Sequence, residues 1–404
     1  MEKFKLSLVA LLITFSLSLF SQKYENLALT PPMGWNSWNK FAQNVDEIMI
    51  REIADAMVTS GMQDAGYEYI VIDDYWHGER DSLGFIQANK KRFPSGIKAL
   101  ADYIHSKGLK FGIYSCAGHE TCGHQPGSRG CEYQDALMYA KWGVDYLKYD
   151  WCSTKYMNTK EAYPTMSSAL KKAGRPIVFS LCEWGSSHPW EWAKEVGHLW
   201  RTTGDIYNCF DCVDDHGNWK AYGVLQIVEM NEKLRKYASP GAWNDPDMLE
   251  VGNGMVANEA RAHFALWCMM ASPLIAGNDL RSMDAETISI LTNKDMIAVD
   301  QDSLGIQGFR HEVKDSVETW YKPLKNGEWA ITYFNRSYYP KQLIVDWKLL
   351  NIKDPDFNYT LTATAKNVFL IRDLWLKKEI GNTKKTLMRT IPARDVICLK
   401  LHKQ

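Results

Sequence analysis

Little in this sequence points to nucleic acid, to a bilayer or to a bound nucleotide. Lys and Arg number 47 against 48 Asp and Glu, and a formal net charge of −1 supplies no broad field to gather polyanions or an anionic membrane surface. No G-x-G-x-x-G follows the first apolar run, so the usual dinucleotide-binding turn is missing. Past the first 21 residues no apolar run reaches the ~20 residues of a membrane span, and no low-complexity linker divides the chain. Neither H-E-x-x-H nor a paired C-x-x-C zinc module occurs. The segment Gly118–His124, with two histidines around Cys122, has the spacing of neither, so no metal site is expected there. What these absences leave is a neutral small molecule as partner, with no nucleic acid and no membrane once the amino terminus is processed.

What is present is a chain of 404 residues, 46% hydrophobic and 24% charged, long enough for a large core and a second domain. Residues 1–21 place Lys3 and Lys5 before the apolar run Leu6–Phe20, the layout of a secretory signal, and predict a secreted or periplasmic mature protein. Export permits disulfides among the nine cysteines. Cys268 and Cys398 lie in apolar runs and read as buried hydrophobes. The seven from Cys116 to Cys212 are the bridge candidates, and an odd total leaves at least one thiol unpaired.

From Pro31 to about Asp300, short apolar runs alternate with longer helical patterns. The predicted strands are Met33–Trp38, Tyr69–Asp73, Lys110–Ser115, Asp145–Asp150, Ile177–Glu183, His198–Asp205, Ala242–Leu249 and Pro273–Asn278. Between them the periodicity predicts helices at Asp46–Thr59, Ile97–Lys107, Tyr133–Trp142, Thr159–Ala173, Trp190–Glu195, Lys220–Arg235, Asn258–Met270 and Asp284–Ile290. Eight β-then-α units predict a (β/α)8 TIM barrel over residues 22–302. After Asp302 the pattern becomes short alternating runs with turn signals, among them Asn326-Gly327 between Val317–Tyr321 and Glu328–Phe334. Residues 303–404 are expected to form a C-terminal antiparallel β-sandwich domain packed on the barrel.

The predicted strand ends repeat one chemistry. Trp38 ends the first strand and Asp73-Asp74 the second. Tyr114 lies near the end of the third, and the fourth carries Lys148 and Asp150, two residues apart and so on one face. Glu183-Trp184 follow on the fifth, Arg201 and Asp205 on the sixth, Asp245 and Asp247 on the seventh. Any one acid reads as a strand-end ion pair. A ring of them with aromatics on one rim reads as a sugar site, because hydroxyls need donors and acceptors while the apolar faces of a pyranose pack on rings.

These residues carry a resemblance. The blocks Leu29-Thr30-Pro31-Pro32-Met33-Gly34-Trp35-Asn36-Ser37-Trp38, Ile72-Asp73-Asp74, Tyr146–Cys152, Cys182-Glu183-Trp184, Trp200–Asp205 and Trp243-Asn244-Asp245-Pro246-Asp247-Met248-Leu249 resemble the signature blocks of glycoside hydrolase family 27, the α-galactosidase family of clan D. The likeness runs over nearly the whole mature chain. It implies an α-galactoside substrate and a retaining double displacement with no metal or organic cofactor. Asp150 matches the nucleophile and Asp205 the acid/base.

The same resemblance gives Asp73, Asp74 and Lys148 to the distal hydroxyls of the sugar, Trp38 and Tyr114 to the pocket walls, Glu183 and Arg201 to the 2-hydroxyl, and Asp247 to the anomeric side. Lys148 is expected to favour the anion of Asp150, and Asp205 to sit less compensated unless Arg201 offsets it. Glu183 resembles the α-galactosidase form, where N-acetylgalactosaminidases carry a smaller residue, and both Asp73 and Asp74 argue against a β-L-arabinopyranosidase. A sugar-binding protein without catalysis would lack a carboxylate, and both are present. The likeness also implies a Cys122–Cys152 disulfide. Cys116 and Cys131 are candidates for a second bridge, Cys209 and Cys212 for a loop staple, and Cys182 finds no partner at Gly197.

Overall fold

The computed structural model describes residues 22–403; the predicted signal at residues 1–21 lies outside them. Eight short strands lie side by side: β1 (Met33–Asn36), β2 (Tyr69–Val71), β3 (Lys110–Cys116), β4 (Tyr146–Asp150), β5 (Val178–Cys182), β6 (Leu199–Arg201), β7 (Trp243–Asp245) and β8 (Leu274–Ala276). Their order is β7-β6-β5-β4-β3-β2-β1-β8 and every pairing is parallel. A single parallel bridge from Leu249, just past β7, to Ala276 in β8 closes the ring. Nearly every strand residue is buried, as expected of strands covered by side chains on one face and helices on the other.

The covering helices start and stop on local chemistry. Helix α1 (Glu47–Thr59) is capped by Asp46, whose carboxylate accepts from Met49 N at 2.9 Å. Helices α2 (Ile97–Ser106), α3 (Glu132–Trp142) and α4 (Thr159–Ala173) follow β2, β3 and β4, and the last two end at Gly143 and Gly174 with φ of 84° and 82°. Two helical expectations are corrected. Trp190–Glu195 is two 3₁₀ turns, Pro189–Glu191 and Ala193–Glu195, because Trp192 between them leaves helical dihedrals at φ −132°. Lys220–Arg235 splits into a strand, Lys220–Tyr222, then α5 (Val224–Asn231) and a 3₁₀ stretch, Glu232–Tyr237. Helices α6 (Ala257–Met269), α7 (Ala285–Leu291) and α8 (Lys294–Asp300) complete the ring.

Beyond the barrel, six antiparallel strands form one sheet: β9 (Phe309–Lys314), β10 (Val317–Pro323), β11 (Trp329–Asn335), β12 (Phe369–Asp373), β13 (Lys378–Asn382) and β14 (Val396–Lys403), in the order β9-β10-β11-β14-β12-β13. Two-stranded pairs, Lys341–Val345 with Leu387–Ile391 and Asn351–Lys353 with Thr360–Thr362, face it across a separate apolar core that includes Tyr333, Trp347 and Leu361. The Asn326-Gly327 turn joins β10 to β11, with Asn326 at φ 63°. Helix α6 lies between barrel and sandwich, touching β10, β11 and β14, which explains why it is buried nearly all round.

Candidate active site

All eight parallel strands point their carboxyl ends to one rim, and a cavity of about 420 Å³ opens there. Nine of the ten predicted catalytic and sugar-binding residues line it: Trp38, Asp73, Asp74, Tyr114, Lys148, Asp150, Arg201, Asp205 and Asp247. Asn39, Trp184, Met248 and Cys122 complete the wall.

The closed end is built by hydrogen bonds that hold the acids in place. Asp73 Oδ2 accepts from Lys148 Nζ and from Asn36 Nδ2, both at 2.8 Å, and Ser37 Oγ receives Asp73 N at 3.0 Å. Asp74 accepts from Thr121 Oγ1 at 3.0 Å and from Gly123 N at 2.8 Å. A Cβ on Gly123 would meet the Tyr75 ring at 2.6 Å and Asp74 Oδ2 at 2.9 Å, so only glycine lets this loop come so near. Trp38 lines the cavity and lies nearly parallel to Tyr75, the rings 6.4 Å apart and 8° from parallel. The Cys122–Cys152 bridge is formed and ties the loop after β3 to the loop after β4.

Asp150 ends β4, 6% exposed. Its carboxylate accepts from Tyr114 Oη at 3.1 Å and from Trp151 N at 2.9 Å. Burial pushes its pKa up to about 7; Lys148 pulls it down, and the charge of Asp205 pushes it further up. Lys148 favours the anion, as expected, but burial outweighs it. Its ammonium is spent on Asp73, which with Cys182, Asp150 and Asp247 keeps Lys148 charged well above its ordinary pKa against the pull of burial. For Asp205 the structure takes the alternative left open, an offset by Arg201. The Asp205 side chain is 43% exposed at the mouth and is compensated, with Arg201 Nη2 at 3.0 Å. The same nitrogen is 2.9 Å from Asp247 Oδ2. Asp247, held at φ 82°, also receives Ile206 N at 2.8 Å, and so it fixes the backbone next to Asp205.

Glu183 is the predicted residue that does not face the cavity. Ser180 and Cys182 alternate into the barrel, where Arg201 Nη1 reaches Cys182 Sγ at 3.6 Å, so the next side chain points the other way. Fully buried, Glu183 accepts from Ser187 N at 2.6 Å inside its own loop, and burial pushes its pKa up to about 7. Trp184, with φ 58°, supplies the wall instead; the pairing Glu183-Trp184 was readable as a strand end, the left-handed backbone that chooses between them was not. Among the other thiols, Cys209 and Cys212 are bridged, whereas Cys116 and Cys131 are not: Cys116 is buried with its thiol on Cys152 O at 3.1 Å, and Cys131 stands at the start of α3. Cys182 is free and buried. Cys122, Asp150 and Cys152 come together as donors of metal-ligand type, but both sulfurs belong to the disulfide.

Comparison with known proteins bears on this site. The family described as alpha galactosidase A matches residues 30–302, and the alpha galactosidase C-terminal beta sandwich domain matches residues 314–401. Alpha-galactosidase A of Cellvibrio japonicus is 57% identical over 392 residues, which are 97% of this chain and 96% of that protein. The crystal structure of alpha-galactosidase I from Mortierella vinacea is similar with a TM-score of 0.86 at 38% identity, over 94% of this chain and 98% of that one. A GH27 β-L-arabinopyranosidase from Geobacillus stearothermophilus shares the architecture at a TM-score of 0.78 and 26% identity, over 93% and 97% of the two chains.

Proposed function

This chain belongs to the α-galactosidases of glycoside hydrolase family 27, and from that membership and the geometry of its pocket we propose how it releases terminal α-linked galactose: by a retaining double displacement in which Asp150 attacks and Asp205 moves the proton. One observation carries the reading. A carboxylate buried at the floor, Asp150, and a second, half-exposed one at the mouth, Asp205 beside Arg201, face the same cavity.

In the first step a carboxylate oxygen of Asp150 bonds to the anomeric carbon while the glycosidic oxygen leaves with the proton of Asp205. In the second, Asp205 takes a proton from water, the water oxygen bonds to the anomeric carbon, and Asp150 is released. Asp73, Asp74 and Lys148 hold the distal hydroxyls at the closed end, and Trp38, backed by Tyr75, covers the apolar face. Trp184 and Arg201 wall the side of the 2-hydroxyl, so discrimination against an acetamido group rests on Trp184 rather than on Glu183.

The paired apolar and basic pattern of residues 1–21 and two disulfides support export to the periplasm or beyond, and no described helix is long and apolar enough to cross a membrane. The domain division at about residue 302 is supported by the two matched spans.

The test is Asp150→Asn assayed on an aryl α-galactoside beside the aryl α-N-acetylgalactosaminide and β-L-arabinopyranoside. Wild type turns over the galactoside fastest and releases the α-anomer first by NMR, and Asp150→Asn loses about 10³-fold or more in kcat. Initial release of the β-anomer, or turnover surviving in Asp150→Asn, would refute the assignment.

A further inference from the structure

The chain does not turn straight from Asp205 into the next helix. It runs through the Cys209–Cys212 bridge and returns along an antiparallel hairpin, Val213–Asp215 against Lys220–Tyr222. Tyr222 N donates to the Asp205 carbonyl and Tyr207 N to the Tyr222 carbonyl, each at 2.8 Å, so the returning strand is laced to the residue that bears the proposed acid. At the hairpin's tip the His216 and Trp219 rings stack 3.9 Å apart and 9° from parallel, and His216 Nε2 lies 3.1 Å from Asp214 Oδ2. Trp219 is thus fixed in orientation while half of its surface stays open to solvent.

A groove of about 1050 Å³ lies between this hairpin and the barrel rim. Trp219, His216 and Asn208 form one side, Lys40 and Asn253 the other. It shares Trp38, Asn39 and Asp205 with the sugar pocket, so it begins where that pocket opens, on the side of the residue that protonates the leaving oxygen. Because the galactose pocket is closed at its far end by Asp73, Asp74 and Lys148, whatever the galactose is linked to must leave past Asp205.

We propose that this groove is a leaving-group subsite for the pyranose unit to which the terminal galactose is attached, with the exposed face of Trp219 as its stacking platform. The inference rests on the reading of Asp205 as the acid. A pyranose offers an apolar face for the indole and a rim of hydroxyls for amides, imidazole and ammonium. An apolar aglycone would instead have to strip water from Asn208, Asn253, His216 and Lys40 without replacing its hydrogen bonds. The hairpin makes this chain selective for galactose carried on saccharides.

The experiment compares kcat/KM on α-galactosyl fluoride, whose leaving group is one atom and cannot reach the groove, with kcat/KM on the trisaccharide raffinose. Trp219→Ala is expected to lose about ten-fold on raffinose and to stay within about two-fold on the fluoride, while Trp219→Phe recovers most of the loss. An unchanged raffinose rate, or equal loss on both substrates in a variant that melts like wild type, overturns the subsite. If the alanine variant does not fold, Trp219→Gln is judged by the same two ratios. Failure of the wild type on both substrates would overturn the galactosidase reading on which the subsite rests, whereas a wild type active on both with no selective loss in Trp219→Ala overturns the subsite alone.

Discussion

Asp150 sits where burial and a like charge outweigh a neighbouring lysine, and the balance has a pH consequence. The nucleophile proposed for this site must be ionised, and with the pKa of Asp150 raised to about 7 the anion is lost as pH falls through that value. The acid limb of kcat/KM for an aryl galactoside is therefore expected near pH 7. Asp205→Asn, followed on α-galactosyl fluoride so that no acid is required, removes one repelling charge and is expected to move the limb to lower pH; a limb that stays put would contradict the coupling. Glu183 offers a second check. Glu183→Gln is expected to keep KM for the aryl galactoside within about two-fold, because its carboxyl serves Ser187 N, while Trp184→Ala raises KM several-fold. The identities of the site residues were legible because acids closing apolar runs stand out in a sequence. Partners were not: Lys148 lies two residues from Asp150 along the strand yet spends its charge on Asp73, 75 positions away.

The barrel strands were legible for a simple reason. Strands buried on both faces must be continuous apolar runs, and all eight runs found in the sequence became β1 to β8, most of them shorter than drawn because the acid ends curl out of the ladder to make the rim. The errors cluster after β5 and β6. Between Val213 and Tyr222 the signal was a turn at His216-Gly217-Asn218, with Gly217 at φ 85°, between two runs too short and too polar to alternate visibly. Another short hairpin, His77–Arg80 with Ile86–Ala88, escaped notice in the same way, because an antiparallel pair folded over a rim gets its support from what lies beneath it and not from its own pattern. Arg80 shows that support: it reaches Asp135 on α3 at 2.6 Å and Gly127 O at 2.7 Å.

At the scale of the whole molecule, the barrel and the sandwich are joined by buried charges that neither can leave unpaired. Arg235, 3% exposed, donates to Asp354 at 2.7 Å and 2.5 Å and to Gln307 O at 2.6 Å, and the Asp354 side chain is wholly buried. Lys322 of β10, also buried, donates to Cys268 O at the end of α6 at 2.9 Å. Arg235→Met strands Asp354 without its cation and is expected to cost about 3–5 kcal/mol of stability, read by urea denaturation, with kcat on an aryl galactoside per folded molecule unchanged. A loss below 1 kcal/mol would show that the pair does not hold the two parts together. The ring of the barrel also has an uneven circumference. Seven neighbouring pairs share a ladder, whereas β7 and β8 meet only through Leu249, whose N–H reaches Ile275 O at 2.8 Å and whose carbonyl receives Gly277 N at 3.0 Å. A cylinder pinned at one point along one edge yields first along that edge. That edge runs under Asp247, Met248 and Glu250, between the galactose pocket and the groove beside Trp219, so the seam of the barrel lies beneath the path a departing saccharide takes, away from the closed end at Asp73, Asp74 and Lys148.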